Sequence, residues 1–142
     1  PKSTVAAGFT GTTVARGNAG VIDHHTQADG YNVQIKTNVN TDLTVANVVV
    51  VPGGTSGWHS HPGPVLNIVK TGTLKFYRPI PGHSGCSVEV YNAGSAIIEP
   101  GGDVGVLRNE GSIDGTLTVV FFAPAGAPTR IDQPAAGGNC QH

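Results

Sequence analysis

The sequence predicts an all-β protein, a sandwich or a barrel built from roughly eight short strands. Val and Ile supply most of the large apolar side chains, and Gly (21) and Pro (10) are abundant. Turn-forming residues between β-branched runs are typical of many short strands. No stretch has the apolar stripe, recurring about every 3.6 residues, of an amphipathic helix. The 142 residues are enough to bury one hydrophobic core.

Alternating apolar and polar residues place the individual strands. Val33 and Ile35 alternate with polar neighbours from residue 31 onward, which is the pattern of a half-buried strand. Residues 43–51 predict a second strand, which the Pro-Gly-Gly at 52–54 ends. Further strands are predicted over residues 65–70, 73–78, 87–91, 96–99, 104–108 and 116–123.

Weaker periodicity sets the N-terminal region apart from the rest of the chain. Residues 1–30 are rich in Gly, Ala and Thr, and they predict an arm with one short edge strand around residues 12–15. Residues 31–142 predict the barrel and a C-terminal tail. No linker or internal repeat indicates a second domain.

The two cysteines, Cys86 and Cys140, predict a disulfide that ties the tail to the barrel. It would close a loop of about 54 residues and contribute roughly 3–4 kcal/mol on a chain-entropy basis. Two unrelated thiols are the alternative. The even number of cysteines, the few charges and the missing initiator Met favour removal of a signal peptide. Trimming of the chain for another reason is the alternative explanation of the missing Met. We therefore expect a secreted or periplasmic protein.

Charge and hydropathy exclude two classes of partner. The net charge is −1 and there is no run of Lys or Arg, whereas nucleic-acid binding calls for a basic stripe. Apolar runs are far shorter than the roughly 20 residues of a membrane-spanning helix. We expect neither a nucleic acid nor a membrane as partner.

The segment of residues 53–64, with the sequence GGTSGWHSHPGP, carries the densest chemical signal. His59 and His61 are two residues apart, so on extended backbone both imidazoles point to one face and can share a metal ion. Each ring then needs an acceptor for its other nitrogen. The alternative is a surface loop with two solvated histidines.

Two spaced patterns resemble the paired motifs of the cupin superfamily. The first is Gly53, five residues, His59-x-His61 and then Gly72. The second, separated from the first by 21 residues, is formed by Gly94, Pro100, Gly102 and Asn109. More narrowly, GWHSHPGP at 57–64, RNEG at 108–111 and the cysteine pair look like a group of small exported bacterial cupins.

The resemblance implies a jelly-roll barrel with a metal site ligated by three histidines and often a glutamate. His59 and His61 match two of the histidines, but the glutamate position falls on Val65 and the third histidine position on Gly105. On a strand, Asp103 would face the same side as Gly105 and substitute as an oxygen ligand. We expect solvent in the positions that Val65 and Gly105 leave. Other candidates from outside the motifs are His24, His25, His83 and a terminal group of the chain.

Three further residues have two interpretations each. Trp58 is either a rim residue that stacks on a sugar ring or part of the core. Asn67 is either a polar group of the binding pocket or a buried amide with satisfied hydrogen bonds. Glu99 is either an acid or base of the site or a solvated carboxylate at a strand end.

By resemblance, we expect an exported metal-dependent oxidoreductase with one transition-metal ion, for which copper is the first choice and iron or manganese are the alternatives. Its substrate would be a small molecule or a plant polysaccharide such as cellulose. The alternatives are a non-catalytic module that binds a sugar or small ligand at a degenerate site, and a metalloenzyme for isomerisation or hydrolysis. We expect metal binding to weaken below about pH 6 as the imidazoles protonate. Because cupin barrels commonly pair, we also expect a homodimer.

Overall fold

The computed structural model of the chain describes residues 2–136 and 140. The regular secondary structure within these residues consists entirely of β-strands. This confirms the predicted all-β class. The twelve strands are β1 (Ala7–Gly20), β2 (Asp23–Ala28), β3 (Tyr31–Lys36), β4 (Thr41–Thr55), β5 (His59–Ser60), β6 (Val65–Thr71), β7 (Thr73–Pro79), β8 (Cys86–Asn92), β9 (Ala96–Glu99), β10 (Val106–Arg108), β11 (Gly115–Pro124) and β12 (Ile131–Asp132).

One antiparallel sheet of eight strands curls into a nearly closed barrel. Its order is β8-β7-β10-β4-β11-β6-β9, with β1 paired to β4 beside this path. Two small two-stranded sheets lie outside it, namely the β2–β3 hairpin and the pair β5–β12. Strand β5 carries the histidine motif. It pairs with β12 of the C-terminal tail, and His59 also forms a β-bridge with Gly105, so both the tail and the barrel position the candidate site.

Alternating burial explains why these strands close around one core. Over residues 44–51 of β4 and 65–70 of β6, every second side chain is buried, and the residues between them are more exposed. The inward side chains meet in the main hydrophobic cluster, which excludes water from the barrel interior. The buried members of that cluster are Ala46, Val48, Val50, Val65, Val69, Leu74, Phe76, Tyr91, Leu107, Leu117 and Val119.

The N-terminal region is more regular than its sequence indicates. Strand β1 is 14 residues long, not a short strand around residues 12–15, and it pairs with β4 along most of its length. Its side chains are almost all exposed, so backbone pairing defines this strand, and no burial pattern marks it in the sequence. The β2–β3 hairpin turns at Asp29 and Gly30, both with positive φ, as an Asp-Gly hairpin turn requires. The division of the chain at residue 30 stays a prediction.

The main sheet path ends at β8 and β9 in the part of the chain that the structure describes. Free sheet edges of this kind are where strand pairing between copies would occur. The expected homodimer stays a prediction. The described residues include no helix long and apolar enough to cross a membrane.

The predicted disulfide is present between Cys86 at the start of β8 and Cys140 in the tail, with a Cα–Cα distance of 4.9 Å. Cys140 is buried and packs in a second core cluster with Trp58, Tyr77 and Val106. The disulfide therefore joins the tail to the barrel beside the histidine segment.

Asn109, the last residue of the second motif, has a structural role that can be tested. Its side chain is buried; the amide donates to the carbonyls of Val50 and Ile113 at 2.7 and 2.8 Å and accepts from the Gly111 N–H. Asn109→Ala leaves these groups without that partner, so we expect the free energy of unfolding to fall by about 1–3 kcal/mol in urea denaturation. The exposed Asn47→Ala is the control. Equal stability of both variants would contradict this role.

Candidate metal centre

His59 and His61 lie side by side on the inner face of the barrel wall. They flank Ser60, and their ring centroids are 4.8 Å apart with the planes nearly perpendicular. Both residues are buried, with 7% and 8% of their surface exposed. The rings are therefore not the solvated histidines of a surface loop.

Backbone carbonyls hold one nitrogen of each ring. The Nδ1–H of His59 donates to the Gly57 carbonyl at 2.9 Å, and the Nδ1–H of His61 donates to the Thr129 carbonyl at 2.6 Å. With Nδ1 protonated in this way, the lone pair of each neutral imidazole is on Nε2. This is the outer hydrogen bond that metal-ligating histidines almost always make.

Glu99 completes the group. One ligand atom from each of His59, His61 and Glu99 lies within 4.8 Å of the others, and Glu99 Oε2 is 3.6 Å from His61 Nε2. Ligand atoms about 2.1 Å from a shared ion are about 4.2 Å apart at most, so the widest gap must close by at least about 0.6 Å when an ion binds. Two imidazoles and a carboxylate therefore fit a transition-metal ion.

The cross-strand register explains why Glu99 takes this place. On strands β6 and β9, Val65 is directly paired with Glu99, and residues directly opposite in an antiparallel pair point to the same face. The carboxylate thus lies beside the position that the motif resemblance assigned to a glutamate, but comes from the neighbouring strand. The solvated interpretation of Glu99 is wrong, because its side chain is only 12% exposed. The sequence alone could not place Glu99 at the site, because the periodicity of a single strand does not show which residue of another strand lies opposite.

Asn67 orients the carboxylate. Its Nδ2 donates to Glu99 Oε1 at 3.0 Å, and this leaves Oε2 directed towards His61. Asn67 is buried and lines the same cavity as the histidines. The interpretation as a buried, hydrogen-bonded amide is therefore correct, whereas a role of Asn67 in substrate binding stays a prediction.

An aromatic ring occupies the side of the site where the third histidine was expected. Gly105 pairs with His59 through two backbone hydrogen bonds of 2.9 Å. A Cβ at Gly105 would lie 2.3 Å from Phe76 Cζ, so the Phe76 ring, not solvent, fills the space beside Gly105. Val65 is 2% exposed and also contributes an apolar wall.

The other candidates lie apart from the three donors. Asp103 is exposed and lines a different surface pocket with Arg78 and Pro79. Trp58 is fully buried in the second core cluster, so the core interpretation is correct, because a stacking ring needs an open face. Among the described residues, the histidines outside the motifs are His24, His25 and His83, and all three are exposed.

Burial dominates the electrostatics of the site. It lowers the pKa of His59 to about 4 and lowers the pKa of His61, because the imidazolium forms lose hydration. Burial also raises the pKa of Glu99 to about 7. The histidines are thus neutral and ready to donate lone pairs near pH 7, while Glu99 is poised between its neutral and ionised forms.

The donors face a small cavity of about 40 Å³ inside the barrel. This space accommodates one or two water-sized molecules and is smaller than a sugar ring. Apart from Asn67 and the three donors, its lining is apolar, and consists of Phe9, Val48, Val65, Phe76, Leu107, Leu117, Val119 and Phe121.

No protein-family model and no curated protein sequence matches this chain. Its structure is similar to Peruvianin-I, a cysteine peptidase from Thevetia peruviana latex, with a TM-score of 0.59, 18% identity and coverage of 89% of this chain and 68% of that one. An oxalate oxidase in complex with the substrate analogue glycolate has a TM-score of 0.53 and 23% identity. Bacillus subtilis oxalate decarboxylase, described for its Mn(II) centres, has a TM-score of 0.55 and 18% identity.

The two oxalate enzymes are cupin-family proteins, and each alignment covers 63% of this chain. The chain spans 45% of the oxidase and 23% of the decarboxylase. At these identities the similarity establishes the fold alone. The protein is an all-β, single-domain jelly-roll barrel of the cupin type, which confirms the predicted fold.

The close contact between Gly105 and Phe76 predicts a coupled pair of substitutions. Gly105→Ala forces its methyl group into the Phe76 ring, so we expect a loss of about 1–3 kcal/mol in the free energy of unfolding. Phe76→Leu removes the opposing ring atoms, so the double variant should lose less than the sum of the single variants. Urea denaturation of the three variants measures this, and strictly additive losses would contradict the contact.

The buried ionisable groups predict opposite pH effects on the stability of the chelator-treated protein. The pKa of His59 is lower in the folded state, so its contribution is complete above pH 6.5 and is lost as the pH falls towards 4. The pKa of Glu99 is higher in the folded state, so its contribution is complete below pH 4.5 and is lost as the pH rises through 7.

Relative to the native chain, His59→Gln should therefore gain stability as the pH falls from 7 to 4. Glu99→Gln should gain stability as the pH rises from 5 to 8. Urea unfolding at each pH measures both, with the exposed loop variant His83→Gln as control. Parallel pH profiles for all four proteins would show that these groups do not titrate as described.

Proposed function

We propose that the protein binds one transition-metal ion through His59, His61 and Glu99, and that it is a metal-dependent oxidoreductase. The observation that carries this proposal is the convergence of three donor groups with both Nε2 atoms preset by carbonyl hydrogen bonds. The cost of burying a carboxylate between neutral imidazoles is offset when a cation binds there.

The donor set favours iron or manganese over the copper that the motif resemblance implied. Two histidines and one carboxylate with open positions are typical of non-haem Fe(II) oxygenases, and carboxylates also suit Mn²⁺. The similar oxalate decarboxylase is described for Mn(II) centres. Copper binding is measured in parallel in the metal-uptake experiment.

The bound ion would supply redox chemistry at its open coordination positions. The chain supplies the surroundings: Asn67 holds the Glu99 carboxylate, and Val65, Phe76 and Phe121 give the cavity an apolar lining. Because a cavity of about 40 Å³ is smaller than a sugar ring, we propose a small molecule such as dioxygen or peroxide as the direct reactant. A polysaccharide such as cellulose would need these apolar side chains to move.

A non-catalytic binding module is the second candidate, and the closed, apolar wall formed by Val65 and Phe76 favours it. Dioxygen consumption by the iron- or manganese-loaded protein with a reductant separates the two functions. A cysteine-nucleophile mechanism has no support, because both cysteines are joined in the disulfide. The disulfide supports our proposal that the protein is secreted or periplasmic.

Metal uptake tests the site directly. We expect the native, chelator-stripped protein to bind one equivalent of iron or manganese, and the His59→Ala/His61→Ala variant to bind none, because both imidazole ligands are lost. Calorimetric titration and elemental analysis measure this, with copper and zinc titrated in parallel. His24→Ala/His25→Ala removes two exposed histidines of β2 and is the matched control.

A second prediction concerns pH. Since burial raises the pKa of Glu99 to about 7 and lowers the pKa of His59 to about 4, the proton that competes with the metal near neutrality is on Glu99. Manganese affinity should fall by up to about tenfold per pH unit below pH 7. Glu99→Gln should bind more weakly and lose this dependence between pH 5.5 and 7. A persistent slope in Glu99→Gln would assign the competing proton to another group.

A further inference from the structure

The C-terminal tail, which begins at residue 125 after strand β11, contacts the segment that carries the two histidines. Strand β12 pairs with β5, with Ile131 opposite Ser60 and Asp132 opposite His59. The Thr129 carbonyl, two residues before this strand, accepts the hydrogen bond from His61 Nδ1 at 2.6 Å. One outer hydrogen bond of the metal centre therefore comes from the tail.

Further hydrogen bonds join the tail to residues on both sides of His59. Arg130 Nη2 donates to the Ser56 carbonyl at 2.6 Å, and Gln133 N donates to the Trp58 carbonyl at 2.9 Å. The Gln133 side chain donates from Nε2 to Ser60 Oγ at 3.0 Å. The tail thus contacts the histidine segment along most of its length.

Apart from the disulfide, the tail is held by short non-covalent contacts. Besides β12 and the hydrogen bonds above, the Thr4 N–H donates to the Gln133 carbonyl at 3.1 Å, and Ser3 forms a β-bridge with Pro134. Strand β12 has only two residues, and both are exposed, so its hydrogen bonds compete with water and a two-stranded pair of this length is marginal. The buried anchor is Cys140, which packs against Trp58 and Val106 and is bonded to Cys86. The covalent link therefore supplies the constraint that the short strand lacks.

We propose that the Cys86–Cys140 disulfide controls the metal affinity of the site, by holding the tail against the segment that carries His59 and His61. The inference rests on the proposed metal binding and adds redox regulation to that site. Reduction frees the tail, so His61 loses the Thr129 carbonyl that fixes its Nδ1–H, and the ring is no longer held with Nε2 towards Glu99.

The chemical step is a thiol–disulfide exchange with a dithiol reductant. A thiolate of the reductant attacks the sulfur of Cys86, which is the more exposed partner, and Cys140 leaves as a thiolate that takes up a proton. The second thiolate of the reductant then releases Cys86. The protein gains two electrons and two protons, and the dithiol becomes a disulfide.

Loss of an outer hydrogen-bond partner typically weakens metal binding 10–100-fold. We therefore expect the reduced protein, and the Cys86→Ser/Cys140→Ser variant, to bind Mn²⁺ 10–100-fold more weakly than the oxidised protein. Calorimetric Mn²⁺ titration of the full chain measures this after dithiothreitol has been removed under anaerobic conditions. Equal affinities of the oxidised and reduced proteins would overturn the proposal.

A metal-free readout separates this proposal from the proposed function. Trp58 is the single tryptophan of the chain, and it packs against Cys140. Release of the tail should shift its fluorescence to longer wavelength in the absence of metal. An unshifted spectrum of the reduced protein would overturn the tail-release step, whereas oxidised protein that binds no metal would overturn the proposed function.

Gln133→Pro provides a second variant in case the double serine variant does not fold. It removes the donors to the Trp58 carbonyl and Ser60 Oγ but leaves the disulfide and the net charge unchanged. We expect Mn²⁺ binding several-fold weaker than in the native chain, with Gln27→Ala on the exposed β2 strand as control. Native affinity in Gln133→Pro would show that the tail contacts do not support the site.

Discussion

Backbone hydrogen bonding on both sides of β5 is the constraint on which the candidate site depends. On one side His59 exchanges two hydrogen bonds with Gly105, and on the other Asp132 and Ile131 of the tail pair with His59 and Ser60. A segment held in this way is extended, so its alternate side chains share a face. The two imidazoles therefore enter the barrel together, without contributing to the main hydrophobic cluster.

Burial of the two histidines and Glu99 makes their protonation states depend strongly on nearby charge. Neutral histidines and a carboxyl group with its pKa near 7 lie in a mainly apolar cavity, where an unpaired charge is costly. A cation that binds there offsets the cost of ionising Glu99. The same low-polarity surroundings strengthen the hydrogen bonds from Asn67 and from the carbonyls of Gly57 and Thr129, which fix the orientation of the donors.

Two exchanges between neighbouring strands distinguish this site from the motif pattern. The carboxylate is on Glu99 of β9 and not on its cross-strand partner Val65, and the Phe76 ring lies where a side chain at Gly105 would project. Glu99 on β9 keeps an oxygen donor at the site although position 65 is a valine. Gly105 offers no imidazole, and the Phe76 ring fills the space beside it. The outcome is a smaller donor set in a tighter cavity.

Local pattern determined most strands from β3 onward, many of the turns and the His59-x-His61 pair, because alternation and turn chemistry are properties of adjacent residues. The disulfide followed from the presence of just two cysteines. Strands β2, β5 and β12 were not predicted, because they lack a clear alternating pattern or are only two residues long. The length of β1 was underpredicted, because its stability comes from pairing with β4 and not from side-chain burial. Glu99, Phe76 and the Thr129 carbonyl were decided only by the tertiary structure. Each reaches the site through strand register or tail placement, and both depend on contacts between residues far apart in the chain.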